Sequence, residues 1–583
     1  MNRQLRIILF TLILAVAIFS QTERLFVVVP ADSLEDNRQY PSESVGAGDL
    51  ERYPSAGLPE ILNSETFVQF GNLADDGYSS PFVNGIPSYF SSVYFDGLRL
   101  YSPQLGQFEL KWFAEDMLKS VEVLTGGNSH LSGLGMIGGA IDIGLRDLPE
   151  KQDYTKISGG WGNSGYKEYS GMFLKRFKQN AGIGVSASEL NADGLFEDDR
   201  DARLRNYSAV SWFKFEGFDL RLFGSRFEGR NRSMNLTFSD SVDVNRQEDD
   251  HRFFDGEIVY STAFGDFSLR FDHQEYERKL FFEDESGFEK IEDNIDAALA
   301  SFSTSVAKNT DLLLNADYTV STMDNTSKGK NRDEQIGGGV TVKSRFGDVS
   351  GQAGLRAVKI EDSDIYFIPG ISIRSEVGES YSIFAGGGAG YHPSILGNDV
   401  SEQPYYFGEA GLEYNHDKLD VYLKGYHSRF REQNFFVSEG FLGDFVQDTL
   451  GKVYGIQGRI EYAPDELFLL GARYIWNSPE YSIRGLPEHF VQTYIEEKKL
   501  YGHDEISLTL RLEADGYFNL PGEAPNAGIL RCRGKLKYIG VSIFGQFSYA
   551  FVEDDGWHNG EFYLRELIPG KSWRIGALWE LFD

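Results

Sequence analysis

Strict alternation of apolar and polar side chains, sustained in long segments through most of the chain after residue 150, constrains the fold more than any other feature. Ile506, Leu508, Leu510, Leu512 and Ala514 alternate with Ser507, Thr509, Arg511 and Glu513, and Leu312 to Val320 repeat the pattern against Asn315, Asp317 and Thr319. Tyr454 to Tyr462 and Val541 to Phe551 do the same. A period of two is a strand with one apolar and one polar face. That suits a β-sandwich or a transmembrane β-barrel, and strand length separates them. Phe267 to Glu283 and Asp348 to Glu361 run well past the ~5–6 residues of a sandwich strand. Short connections such as Gly217-Phe218-Asp219, Gly265-Asp266 and Gly347-Asp348 alternate with long acidic stretches, as expected when one rim carries tight turns and the other long loops. Aromatic pairs and triplets at strand ends, Tyr405-Tyr406-Phe407 and Asn434-Phe435-Phe436, are expected in girdles at the two membrane interfaces.

Composition narrows the class. The 583 residues carry a formal charge of −32, which repels a polyphosphate and excludes a nucleic-acid partner. One cysteine, Cys532, makes no internal disulfide and no zinc knuckle. Arg3 and Arg6 precede the apolar run Ile7 to Phe19, and the small residues Ala15, Ala17 and Ser20 follow, so residues 1–20 read as a secretory signal. The run is too short for a membrane-spanning helix, which needs ~20 residues.

Residues 21–150 differ from the rest. A helical piece around Leu58-Pro59-Glu60-Ile61-Leu62 precedes short Gly-bounded strands at Ser92 to Gly97, Ser120 to Leu124 and Gly138 to Ile143. Val93 to Leu98 with its DG step, Lys119 to Gly126 with VEVL, and the glycine-rich Gly133 to Ile143 resemble the plug of TonB-dependent outer-membrane receptors. Downstream, Asn191-Ala192-Asp193-Gly194, Tyr391-His392-Pro393, Glu409-Ala410-Gly411, Gly451 to Tyr462 and Pro569-Gly570-Lys571 resemble that family's barrel motifs in the same order.

The resemblance implies a 22-stranded antiparallel outer-membrane β-barrel with an N-terminal α/β plug domain in its lumen. The expected organisation is a signal peptide at 1–20, an N-terminal segment at 21–39, a plug at 40–150 and a barrel at 151–583, in a monomer embedded in outer-membrane lipids. It also implies a receptor that binds a scarce, large nutrient outside, a siderophore, a cobalamin or similar. Import to the periplasm would be energised by a TonB-type partner. Leu25, Phe26, Val27, Val28, Val29 and Ala31 look like the TonB box, an extended strand that adds to the partner's sheet; the other reading of this run is the plug's first strand or a tether. The ligand-facing residues expected on the plug's apical loops are Asp76, Tyr78, Tyr89, Phe90 and Tyr101, which combine aromatic surface with small polar neighbours. Tyr side chains that merely pack on the barrel wall are the alternative.

Three departures stand out. Asn84 and Thr125 occupy positions where the family has arginines that tie the plug to barrel carboxylates, and Gln457 replaces the usual Glu. The chain also ends on Asp583, with Phe582 expected to face inward. A passive or structural barrel without energy coupling is therefore carried beside the importer. No cofactor and no enzymatic activity are expected, since His130 and His392 are isolated and no paired-carboxylate motif stands out. The clusters at Glu197 to Asp201, Glu248 to Asp250, Glu283 to Glu285, Glu361 to Asp364 and Glu553 to Asp555 lack Ca²⁺-loop spacing; solvated acidic loops are the main reading and loop-bound calcium the other.

Overall fold

The computed structural model describes residues 43–582 apart from short stretches, of which the longest are 71–80 in the first domain and 193–201, 393–402 and 553–570 in the second. The N-terminal segment at 24–31, with the box residues, lies outside the described residues.

Twenty-two antiparallel strands from Tyr154–Gly162 to Lys571–Phe582 close into a barrel, the last pairing with the first through Arg574↔Gly162 to Phe582↔Tyr154. Closure removes the sheet edges that a lipid environment cannot satisfy. Alternation fixes the facing: Ile543, Ile575, Trp579 and Leu581 point outward, while Arg531, Arg533, Gln546 and Leu578 are buried toward the lumen. Phe582 pairs with Tyr154 through its backbone, and its side chain is outside the described residues.

One rim has tight turns. Glycines at 217 and 347 hold φ of +80° and +60°, values that an L side chain resists. Outward-facing Phe215, Phe218, Phe346, Tyr381, Tyr462, Tyr501 and Tyr538 ring this rim as an interfacial girdle. At the opposite rim the expectation is corrected in part: Tyr406 is 61% exposed, but Tyr405 is fully buried, because neighbours on a strand face opposite sides. The wall is also lopsided. Strands between Val242 and Phe346 have 16 to 21 residues, whereas those from Val349 to Phe430 have 12 to 14.

The first domain fills the lumen. Its five-stranded sheet runs in the order Glu43–Gly46, Leu118–Thr125, Gly139–Leu145, Ser92–Phe95, Leu98–Leu100, with Ser92–Phe95 parallel to Gly139–Leu145. Two short helices, α1 (Ala47–Arg52) and α2 (Leu58–Glu65), pack on it. Pro59 sits in the first turn of α2, where its missing N–H costs nothing. Leu58, Ile61 and Leu62 bury one face of the helix in the apolar cluster that also holds Val45, Val93, Val121 and Ile143. The apolar face being inward, Glu60 and Glu65 are left to meet the barrel.

Candidate functional site: the seam between plug and barrel

The plug meets the wall along two chemically opposite seams. The first is aromatic. Phe95 stacks on Phe113 and Phe223 at 5.4 and 5.3 Å and meets Phe253 edge-on at 5.0 Å. Trp112 lies on His251 and Tyr276 at 4.9 and 4.8 Å, with Phe108 against its edge. All three wall strands, Phe218–Asn231, Val242–Thr262 and Gly265–Phe282, belong to the early part of the barrel. At the foot of this seam the Asp96-Gly97 turn, with φ of +45° and +89°, presents Asp96 to Arg221 at 2.6 Å, and Arg270 donates to the Asp96 carbonyl. The DG step is thus a left-handed turn whose acid docks on the wall.

The second seam is ionic. Glu60 of α2 lies 2.7 Å from Arg533, 3.5 Å from Arg531 and 3.9 Å from Arg574. Glu65, at the other end of the helix, lies 3.2 Å from Arg511 and 3.9 Å from Arg473. Arg473 also donates to the carbonyls of Ser64 and Thr66, the free C-terminal acceptors of α2. Tyr53 hydrogen-bonds Glu65 at 2.5 Å and lies under the guanidiniums of Arg511 and Arg533 at 5.3 and 4.8 Å. Burial alone would raise the Glu60 carboxyl, but Arg533, Arg531 and Arg574 overrule it and hold it below the ordinary carboxylate range. Glu65 is held low in the same way, against its burial, by Arg511 and Arg473. Both are charged at neutral pH. Conversely Glu115, whose Oε1 accepts from the Leu58 amide at the start of α2, is pushed up to about 8 by burial and by the Glu168 carboxylate.

Between these seams stands Asn84. It and Gly85 form the two-residue turn of the hairpin Pro81–Val83 and Ile86–Pro87, with φ of +50° and +69°, the signature of an Asn-Gly turn. Its Oδ1 accepts from Lys424 at 3.1 Å and Gln457 at 3.2 Å, and its Nδ2 donates to the Gly138 carbonyl. Lys424 in turn lies 3.7 Å from Glu409. Two of the departures noted in the sequence, Asn84 and Gln457, therefore meet in one node: the plug loses a cation, one barrel acid becomes Gln457, and Lys424 balances Glu409. Of Thr125, only the backbone is described.

Of the expected ligand residues, Asp76, Tyr78, Tyr89 and Phe90 lie outside the described residues. Tyr101 is described, on the long-loop half of the lumen. Its hydroxyl bonds Ser321 at 2.5 Å, its ring carries Arg99 at 4.2 Å, and the adjacent Ser102 donates to Asp293 at 2.5 Å. Its hydroxyl is thus committed to the wall. Among the described residues no three His, Cys, Asp or Glu side chains come together as a metal site; the clusters at 197–201, 283–285 and 553–555 are outside them, as is His130. The ionic seam escaped sequence reasoning. Its arginines are spaced as ordinary lumen-facing strand residues, and only closure of the barrel puts them opposite α2.

A closed 22-stranded barrel with an α/β domain seated in its lumen is a plugged barrel of the outer-membrane type. Residues 36–140 match the family model of the TonB-dependent Receptor Plug Domain. A variant of the ferric enterobactin receptor PfeA from Pseudomonas aeruginosa superposes with a TM-score of 0.78 at 12% identity, covering 95% of this chain and 100% of the other. The siderophore receptor PirA from the same organism gives 0.72 at 14% identity, covering 93% and 100%, and the FrpB iron transporter from Neisseria meningitidis 0.74 at 12%, covering 93% and 99%. The family model thus places a TonB-dependent receptor plug domain at residues 36–140, and the solved structures share the fold of plug and barrel.

Proposed function

We propose that the protein imports a scarce ligand, of the siderophore class or similar in size, from outside the cell to the periplasm, driven by a TonB-type partner that grips Leu25 to Ala31. The observation that carries this reading is the plug itself. It fills the lumen, so passage requires it to move, and one of its two seams is made of charges that water can replace. Nothing in the lumen supplies energy, and strand addition at an N-terminal box is the physical route for a pull from below. Tyr101, with Asp76, Tyr78, Tyr89 and Phe90 on the neighbouring loops, is the proposed contact with ligand. Calcium on the acidic loops remains a subsidiary proposal, read by ligand binding with and without a chelator.

Deleting Glu23 to Ala31 tests the coupling. Uptake is expected to vanish while surface binding persists. Unchanged uptake would instead establish the passive barrel, a reading favoured by the neutral Asn84 node.

A further inference from the structure

Six consecutive strands, from Phe468–Pro479 to Lys571–Phe582, form the wall that α2 covers. Arg473, Arg511, Arg531, Arg533 and Arg574 project from it to within 4 Å of Glu60 or Glu65. Among the described residues, the wall's own carboxylates on these arginines include Glu496 at 3.6 Å from Arg511, Glu513 at 2.8 Å from Arg531, and Asp515 on Arg531. The plug adds Glu60 and Glu65 to these acids, with its own Arg52 beside Glu65 and Glu496. The guanidiniums are not saturated even so. Arg511 and Arg473 are each 2% exposed, and Arg511 Nη2 and Arg473 Nε have no hydrogen-bond acceptor among the described residues. A buried donor without an acceptor is costly, more so when charged, so the wall is poised to accept further anionic oxygen.

The opposite wall has the reverse balance. Arg221 and Arg270 face Asp255, Glu257 and Asp272, with Asp96 of the plug added to them. Withdrawing the plug there leaves an acidic surface behind an aromatic one.

We propose that the arginine wall is the path along which cargo crosses the barrel, that it selects an anionic cargo, and that Glu60 and Glu65 close it by occupying the guanidiniums an anion would use. The inference deepens the importer reading and rests on it for its biological meaning. Its chemistry stands on the wall alone: guanidinium forks bind carboxylate, phosphate or other oxyanions in two-point geometry, and a row of them spares an anion the cost of shedding its hydration at once. When α2 leaves, its carboxylates exchange places with the cargo, so no arginine is stranded unpaired.

The test uses the full chain in planar bilayers across a KCl gradient, with chloride and potassium as the only probes. Wild type is expected to stay closed. E60Q/E65Q, which keeps the shape of α2 but removes both charges, is expected to open, with its reversal potential shifted toward that of chloride. Adding R511Q/R531Q/R533Q should move the potential back toward potassium, because Glu496, Glu513 and Asp515 remain. Openings of E60Q/E65Q that favour potassium, or no openings beyond wild type, overturn the proposal. So does selectivity that ignores the arginine substitutions. Heat-modifiable gel mobility confirms that each barrel has closed. Should the double variant fail to assemble, E65Q, which leaves Glu60 on Arg533, is read by the same criteria. Conductance needs neither ligand nor partner, so failure here leaves the importer standing, and failure of the Glu23 to Ala31 deletion leaves the selectivity result intact.

Discussion

The two seams of one plug hold by different physics. Against Phe218–Asn231, Val242–Thr262 and Gly265–Phe282 the plug buries rings on rings, and each aromatic pair adds ~0.5–1.5 kcal/mol to the burial of its area. Against the last six strands it buries charges on charges, where the cost of stripping water from ions offsets most of the attraction. The aromatic side therefore supplies net stability. The ionic side supplies specificity with little net affinity and has a low-cost open state, since water or another anion can take the place of each carboxylate. A plug built this way is expected to loosen first on the ionic side and to stay anchored on the aromatic one.

The aromatic anchor is most exposed to a single substitution at Trp112. Trp112→Ala removes a buried ring from the stack on His251 and Tyr276, and is expected to cost about 3–5 kcal/mol of plug stability, read as loss of amide-exchange protection across 118–125 and 139–145. Protection equal to wild type would mean the aromatic seam is not the anchor. Next in size is Glu60→Ala, which strands Arg533, Arg531 and Arg574; removing one partner of a buried cluster costs ~3 kcal/mol or more. The loss should be confined to α2 and its strands, leaving exchange at Phe95 and Phe113 unchanged. If both seams loosen together, the plug is one cooperative unit and the contrast fails.

Acidity sharpens the same contrast with a smaller effect. Glu60 and Glu65 lie below the carboxylate range, so their contribution is complete above pH 4.5 and is lost as pH falls further through their folded values. Glu115 works the other way. Unfolded near 4.5 and folded near 8, it contributes fully below pH 4.5 and progressively less as pH rises through 8. A plug-stability profile of wild type should fall on both sides, and E115Q should flatten the alkaline limb alone; an unaltered alkaline limb would show that Glu115 does not carry it. The smallest effect is expected at the neutral node. Asn84→Arg places a guanidinium beside Lys424, while N84R combined with Gln457→Glu restores a balancing acid, so the double variant should regain about 1 kcal/mol or more over the single one by thermal unfolding. Additive losses would show that positions 84 and 457 are not coupled.

Much of this fold was legible because barrels write themselves in a period of two. The segments at 267–283 and 348–361 appear as Gly265–Phe282 and Val349–Ile360, within two residues, and the plug strands fall where the DG, VEVL and GG-x-I motifs put them. Facing was legible too, wherever a strand keeps its alternation up to the turn. The seam was not. Glu60 and Arg533 are 473 positions apart, and no local pattern distinguishes an arginine that meets a plug from one that meets lumen water. The missing Arg at 84 signalled a loss, and Glu60 and Glu65 lay in plain sight as the polar face of α2. Only the closed barrel says what that face touches.

The order in which the seams join the chain has a consequence for biogenesis. Phe95 finds its partners Phe223 and Phe253 in the first third of the barrel, whereas every arginine that α2 needs lies beyond residue 470, and the last strand must still pair with Tyr154–Gly162. Contacts that distant wait for the whole chain. The plug can therefore settle on its aromatic cradle while the wall is still an open curved sheet, and the arginines arrive afterwards, as the final strands wrap round and the cylinder shuts on a cork already in its seat.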